Sequence, residues 1–206
     1  HQELLFDLSK KLLNSESVQQ STDIIVKALY SHIKSFDCAF FRFEPAHHQL
    51  ICMSYASRDA KGLQSFKLKP IGLGVGVVGH CAEEKVTQSI SNKADCAYWL
   101  DYVESNVSEL TVPVVVDGRL IAVIDLEDDR EDYFDTSARA CVEEVASLAG
   151  GFLQQQIKSE ECYFKLEQLD YSEKRAKSKE SYFSKILEQL GDPVFILSTS
   201  GKVIDV

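Results

Sequence analysis

Three carboxylates stand in strand-like sequence that has little structural use for them: Glu109, Asp125 and Glu127, within SELTVPVVVDGRLIAVIDLE at 108–127. Side chains alternate between the two faces of a β-strand, so Asp125 and Glu127 must point the same way. Carboxylates gathered on one face repel. If that face is closed over, each must also offset its own desolvation. A single cationic group among them relieves the charge and supplies hydrogen bonds. The chemistry on offer is therefore the capture of a small cationic group such as an amine. The competing placement is a solvated strand end beside the acidic loop 128–135, where the same residues would do nothing.

Other chemistry-bearing residues are weaker signals. Gly74-x-Gly76-x-x-Gly79 matches a dinucleotide fingerprint, but that fingerprint needs a buried strand before it and a parallel βαβ unit around it. Pro70 and the antiparallel hairpins on either side deny both, which leaves a turn into a short helix. His47-His48 and His80-Cys81 are adjacent pairs, and neighbours in one segment rarely converge on one ion, so no metal and no cofactor are expected. Tyr98, Trp99 and Tyr102 form an aromatic cluster just before the acidic hairpin. They read either as core or as a lid facing the acids, a wall suited to an ammonium group. Cys81 as a redox sensor has only His80 and Lys85 nearby to favour a thiolate, against Glu83 and Glu84.

The elements that position these residues follow from pattern. Two Val/Ile/Leu-rich runs flank Asp117-Gly118, a dipeptide suited to positive φ at a two-residue hairpin turn. Pro113 cannot donate a ladder hydrogen bond and should sit at an edge or bulge. Upstream, residues 1–34 read as helix with a polar break at 14–21, with Leu4, Leu5, Leu8 and Leu12 on one face. A second face carries Ile24, Ile25, Ala28 and Leu29. Strands are expected at 37–44 and 49–57, an edge strand at 65–68, a short helix at about 77–84 and a short strand at 87–90. Residues 92–104 should form a short helix or lid.

From Thr136 the sequence reads as one long helix. A 4,3 alternation runs through Cys141, Val145, Leu148, Phe152, Gln155, Ser159, Cys162, Leu166, Leu169, Glu173, Ala176, Glu180, Phe183, Leu187 and Leu190. A strict 3.5-residue repeat specifies a left-handed coiled coil and hence a homodimer. Residues 154–190 carry seven basic and seven acidic side chains, so the net charge of −10 resides in the rest of the chain. After Gly191-Asp192 the period changes to two, PVFILSTSGKVIDV, a second hairpin that opens another domain.

Composition sets limits. Of the 206 residues, 45% are hydrophobic and 26% charged, enough for a substantial core in a soluble chain. The acidic balance argues against nucleic acid, whose phosphates need a basic face. No run approaches 18 apolar residues, so no membrane span is expected. Six scattered cysteines (38, 52, 81, 96, 141, 162) without a CxxC pair read as reduced cytosolic thiols. The first residue is His1 rather than Met, so the natural chain is expected to begin earlier.

The order of elements resembles a GAF domain over about residues 16–155, on three segments: LGVGVVGHCAEEK, SELTVPVVVDGRLIAVIDLE and FDTSARACVEEVASLAG. The tail, YFSKILEQLGDPVFILSTSGKVIDV, resembles the opening of a PAS domain. The resemblance implies an α/β (α+β) fold, a central antiparallel sheet with helices on one face and pocket helices and loops on the other. The expected division is 1–155 as sensory domain, 156–190 as signalling coiled coil and 191–206 as the start of a PAS domain. Within GAF domains the chain is most similar to free methionine-(R)-sulfoxide reductases, whose glycine-rich segment reads GVCG and whose second cysteine precedes an SEIVVP-like strand by seven residues. Val78 and Tyr102 occupy those positions here, and Cys81 and Cys96 are out of register. A tyrosine hydroxyl does not replace a thiolate nucleophile, so no catalytic residue is expected. The substrate-binding acids of that family match Glu109, Asp125 and Glu127. Asn92, Lys93, Tyr98 and Asp101 resemble the NKFDE motif of cyclic-nucleotide-binding GAF domains only with a replaced Phe and short spacing.

The resulting expectation is a cytoplasmic, dimeric sensor module of a bacterial signalling protein, such as a sensor histidine kinase of a two-component system or a cyclic-di-GMP enzyme. Its pocket would comprise Glu109, Asp125, Glu127, Tyr98, Trp99, Tyr102, Val78 and Cys81. The alternatives are a residual thiol reductase using Cys81 or Cys96, and a dimerisation module with an empty pocket.

Overall fold

The polar break near the start separates two amphipathic helices, α1 (Gln2–Leu13) and α2 (Val18–Ile33). They belong to a computed structural model that describes residues 1–59, 69–100, 105–190, 196–197 and 203–205. Ser17 caps α2 by accepting a hydrogen bond from the Gln20 amide at 3.2 Å, satisfying one orphan donor of the first turn. Leu8, Leu12, Ile25 and Leu29 are buried, and Leu4, Leu5, Ile24 and Ala28 pack partly against the same core. These are the apolar faces read from the sequence.

The first hairpin is β1 (Asp37–Glu44) with β2 (Gln49–Ser57). Next come β3 (Ile71–Gly72), α3 (Gly76–Glu84), β4 (Gln88–Ile90) and a 3₁₀ turn at Lys93–Asp95. In the described part of 92–104, where a short helix or lid was expected, the helical residues are those of that turn, while 65–68 and 101–104 lie outside the described residues. The second hairpin is β5 (Ser108–Val116) with β6 (Arg119–Asp128), and α4 spans Thr136–Leu190. Asp117 (φ 50°) and Gly118 (φ 74°) both take positive φ, the type I′ geometry that matches strand twist. The β1–β6 strands form one antiparallel sheet in the order β3-β2-β1-β6-β5-β4. Pro113 lies where β4 no longer pairs, since β4 covers only Glu109–Thr111, and a register shift follows at Val114/Val115.

Period two divides the sheet into two faces with separate cores. Cys38, Phe40, Leu110, Val112, Ile124 and Leu126 pack with α1, α2 and the first turns of α4, through Val142, Val145, Ala149 and Leu153. The intervening residues Ala39, Phe41 and Val123 pack on the other face with Leu50, Ile71 and the Val78, Cys81 and Ala82 side chains of α3. Each fully buried Phe or Leu contributes about 1.5–3 kcal/mol.

Contacts divide the chain into two units, His1–Ile157 and Lys158–Val206. The first heptad positions are consumed by the first unit: Cys141 and Val145 are buried in it, and Leu148 and Phe152 pack partly against its core. The repeat expected from 141 is therefore open only beyond this root. In the second unit every α4 side chain from 158 to 185 is exposed. There β7 (Ile196–Leu197) and β8 (Val203–Asp205) pair antiparallel, where the second hairpin was expected. Among the described residues no helix is long and apolar enough to cross a membrane.

The glycine-rich segment is a closed turn rather than a phosphate loop. The Gly74 amide donates to the Gly79 carbonyl at 2.9 Å, and the Gly79 amide to the Val75 carbonyl at 3.0 Å. A Cβ on Gly79 would stand 2.5 Å from the Gly72 carbonyl oxygen, a backbone atom that cannot swing aside. Gly79→Ala should lower stability by about 1–3 kcal/mol, the usual cost of overpacking, read as the midpoint of denaturant unfolding. An unchanged midpoint would show that the turn relaxes freely.

Candidate functional site

Register places the acids in a lateral row. Glu109 on β5 pairs with Glu127 on β6, which pairs with Asp37 on β1. One rung further in, Asp125 lies between Thr111 and Ala39. All four carboxylates face α3, and all are buried: Glu109 5% exposed, Asp125 2%, Glu127 5% and Asp37 3%. Carboxylate oxygens of Glu109, Asp125 and Glu127 lie within 4.8 Å of one another. The solvated strand-end placement is excluded.

Two of the four acids are held by neutral donors. Asn106 donates through Nδ2 to Asp37 Oδ2 at 2.7 Å and to Glu127 Oε2 at 2.8 Å. Tyr55 donates its hydroxyl to Asp37 Oδ1 at 2.7 Å. Glu109 and Asp125 differ. Neither pairs with a lysine or arginine among the described residues, and Asp125 Oδ1 receives no amide or hydroxyl donor. Burial, then the charges of Asp125 and Glu127, push Glu109 well above the usual carboxylate range. Burial, then the charge of Glu127, does the same to Asp125. The two side chains hydrogen-bond each other, and that contact needs a shared proton.

The contrast with Asp128 is instructive. Equally buried but one residue out of phase, it is neutralised in full: Arg130 Nε and Nη2 donate to it at 2.7 and 3.1 Å, and the Phe36 amide at 2.9 Å. A buried carboxylate with structural work to do has permanent donors here. Glu109 and Asp125 have a proton.

A cavity of about 10 Å³ adjoins the acids, lined by Ile71, Val75, Gly76, Val77, Val78 and Leu100. Such a space holds about one water. Val78 is one of the residues of the lining. Cys81 faces the same side but is fully buried in the core, beside Thr111; burial pushes its thiol up to about 12, so it is no thiolate at neutral pH. Cys96 is half-buried in the turn after the 3₁₀ segment. Of the aromatic trio, Tyr98 and Trp99 lie among the described residues. Tyr98 stacks on His80 with ring centroids 3.9 Å apart and its hydroxyl reaches Gln88, and neither Tyr98 nor Trp99 lines the cavity. Leu100 covers it instead, and Tyr102 lies outside the described residues. Sequence reasoning missed Asp37 and Asn106. Asp37 was legible in principle, since period two from Ala39 and Phe41 puts it on the pocket face. Asn106 precedes β5 and no periodicity reaches it.

The sequence profile of the GAF domain matches residues 15–154, more than half of the chain. The chain belongs to the GAF domain family. No curated protein sequence matches it. Among solved structures, the GAF domain of an Acinetobacter phosphoenolpyruvate-protein phosphotransferase is similar at 16% identity and TM-score 0.68, over 78% of this chain and 96% of that one. The corresponding Coxiella burnetii domain is similar at 12% identity and TM-score 0.68, over 77% and 95%. Free methionine-R-sulfoxide reductase from Neisseria meningitidis, solved with its substrate, is similar at 17% identity and TM-score 0.68, over 77% and 90%. At such identities the likeness establishes the GAF fold alone. GAF domains are typically sensory or regulatory modules, and some relatives of this fold are reductases.

The raised carboxyls fix the sign of a pH dependence. Above about pH 4 an unfolded chain has released protons that the folded Glu109–Asp125 pair still holds. This pair's contribution is present at low pH and lost as pH rises through the folded-state values. Glu109→Gln should therefore match wild type near pH 5 and exceed it near pH 8 by about 1–3 kcal/mol, the penalty of a buried group without its donor. Urea melts at both pH values check this; a variant weaker at every pH would contradict it.

Proposed function

We propose that this GAF domain is a sensor that binds a small amine-bearing ligand, an amino acid or close analogue, through Glu109, Asp125 and Glu127, without altering it chemically. The observation that carries the reading is the closure of three carboxylates from adjacent strands, two of them joined only by a proton. A ligand ammonium would replace that proton and reach the vacant side of Asp125 Oδ1. Methionine sulfoxide, the substrate named for the Neisseria reductase, is itself an amine-bearing amino acid. Of the two cysteines a residual reductase would use, Cys81 is fully buried, its thiol pushed up by desolvation, and Cys96 is half-buried. The roughly 10 Å³ cavity admits only the charged group as it stands, so a whole amino acid requires the lining, Leu100 included, to open. Thermal-shift screening against amino acids and small amines tests the reading, because a ligand that binds only the folded state raises the melting temperature. Asp125→Asn should weaken binding of a hit by about 1–3 kcal/mol, measured by calorimetry. No shift with any amine at millimolar concentration would sink the proposal.

Transmission in this reading runs through a parallel homodimeric coiled coil from about 159 onward, toward a PAS domain and a kinase or cyclase output in a cytoplasmic signalling protein. Support comes from the unbroken 4,3 spacing and from Leu166, Leu169 and Phe183, exposed at 60%, 67% and 63% in the single chain. Polar seam residues such as Glu173 and Glu180 weaken the coil, as a two-state element requires. Replacing Leu166 and Leu169 with Lys should convert a dimer to a monomer by light scattering while the GAF core stays folded. A monomeric wild type at micromolar concentration would end this part of the reading.

A further inference from the structure

Three metal-ligating side chains from the three helices on the other face of the sheet come together. His1 stands at the N-terminal cap of α1, His32 in the last turn of α2 and Cys141 in the second turn of α4. One donor atom from each lies within 4.8 Å of the others. The imidazole rings are 5.7 Å apart and inclined at 68°. His1 Nε2 contacts Ser137 Oγ at 3.1 Å, which holds that ring over the first turn of α4. The histidines are exposed while Cys141 is 1% exposed, so the thiol closes the inner end of a site open on its outer side. A surface depression of about 260 Å³, lined by His1, His32, Asp135 and Ser137, supplies the entry path.

We infer that His1, His32 and Cys141 form a zinc-class metal site, with the fourth position open to water. Two imidazoles and a thiolate are the ligand set of a borderline-soft divalent ion such as Zn²⁺, rather than of Ca²⁺ or Mg²⁺, which take oxygen. Bonds of about 2.0–2.1 Å to nitrogen and 2.3 Å to sulfur put tetrahedral ligand atoms roughly 3.5 Å apart. The donors must close by about 1 Å from their present spacing, a movement within reach of two exposed imidazoles. Binding converts the Cys141 thiol to a thiolate and releases one proton to solvent for each ion bound; the metal forms its bond to sulfur as the S–H bond breaks. The ion would join α1 and α2 to the root of α4, adding to the apolar packing and to the Ser21–Gln156 and His1–Ser137 hydrogen bonds already there. This site is independent of the acidic pocket.

The test is titration of the reduced chain, its α-amino group blocked, with Co²⁺ as the spectroscopic stand-in and Zn²⁺ as competitor. One equivalent of Co²⁺ should give a thiolate-to-cobalt charge-transfer band that Zn²⁺ abolishes. Cys141→Ser should remove the band, and His32→Ala, at an exposed position that threatens no core, should weaken binding by at least about tenfold. Cys162→Ser should change neither, since that exposed cysteine lies elsewhere on α4. Absence of the band, its persistence in Cys141→Ser, or unchanged affinity in His32→Ala would each overturn the assignment.

Discussion

Four carboxylates on one face of one sheet are the constraint to which the rest of this GAF domain answers. Like charges directly opposite each other destabilise a strand pair, and here Glu109, Glu127 and Asp37 stand in a row across three strands. The fold tolerates them by unequal means. Asn106 and Tyr55 serve one end of the row with neutral donors, and a proton serves the other. No cation of the described chain reaches Glu109 or Asp125, although the same hairpin ends in Asp128, which has a bidentate arginine. The difference between Asp125 and Asp128 is one of phase along a single strand. It separates a carboxylate neutralised by arginine from one held against a second carboxyl.

Much of this was legible in the sequence because it depends on local periodicity. The Asp117-Gly118 turn starts the β5–β6 pairing, and the register shift at Val114/Val115, which no periodicity announces, is what brings Glu109 opposite Glu127. Helices α1 and α2 follow from apolar spacing and a polar break. What could not be read depends on contacts without a period. Tyr98 looked like part of a lid, but stacking on His80 satisfies its ring outside the cavity. Asn106 belongs to no element, yet it bridges two acids. The heptad count was correct in spacing and misleading in meaning at its start. Cys141 and Val145 face the domain's own core, because a helix rooted on a sheet uses one stripe for intramolecular packing before the stripe can serve a partner.

Cysteine chemistry divides the same way. Cys81 sits in the pocket helix where a reactive thiol would be useful, but desolvation suppresses it. Cys141 is equally hidden, yet it has two imidazoles within reach. Proximity in space, invisible to a search for CxxC or spaced histidines, gives the less conspicuous cysteine the richer surroundings.

The division of the sheet into two cores has a mechanical consequence. The buried residues of one core share no member with those of the other, and strands of alternating phase lie between them. Pressure exerted by an occupant beneath α3 cannot reach α2 or α4 through a relay of touching side chains confined to one core. Such pressure would act on the strands, chiefly β1 and β6 at the centre, which carry the acids on one surface and Phe40, Ile124 and Leu126 on the other, with the 2.8 Å hydrogen bond from Thr87, just after α3, to Glu143 as a second link to α4. The sheet is then a diaphragm. Its stiffness, set largely by the backbone ladder, would limit how far an event on one side is felt on the other.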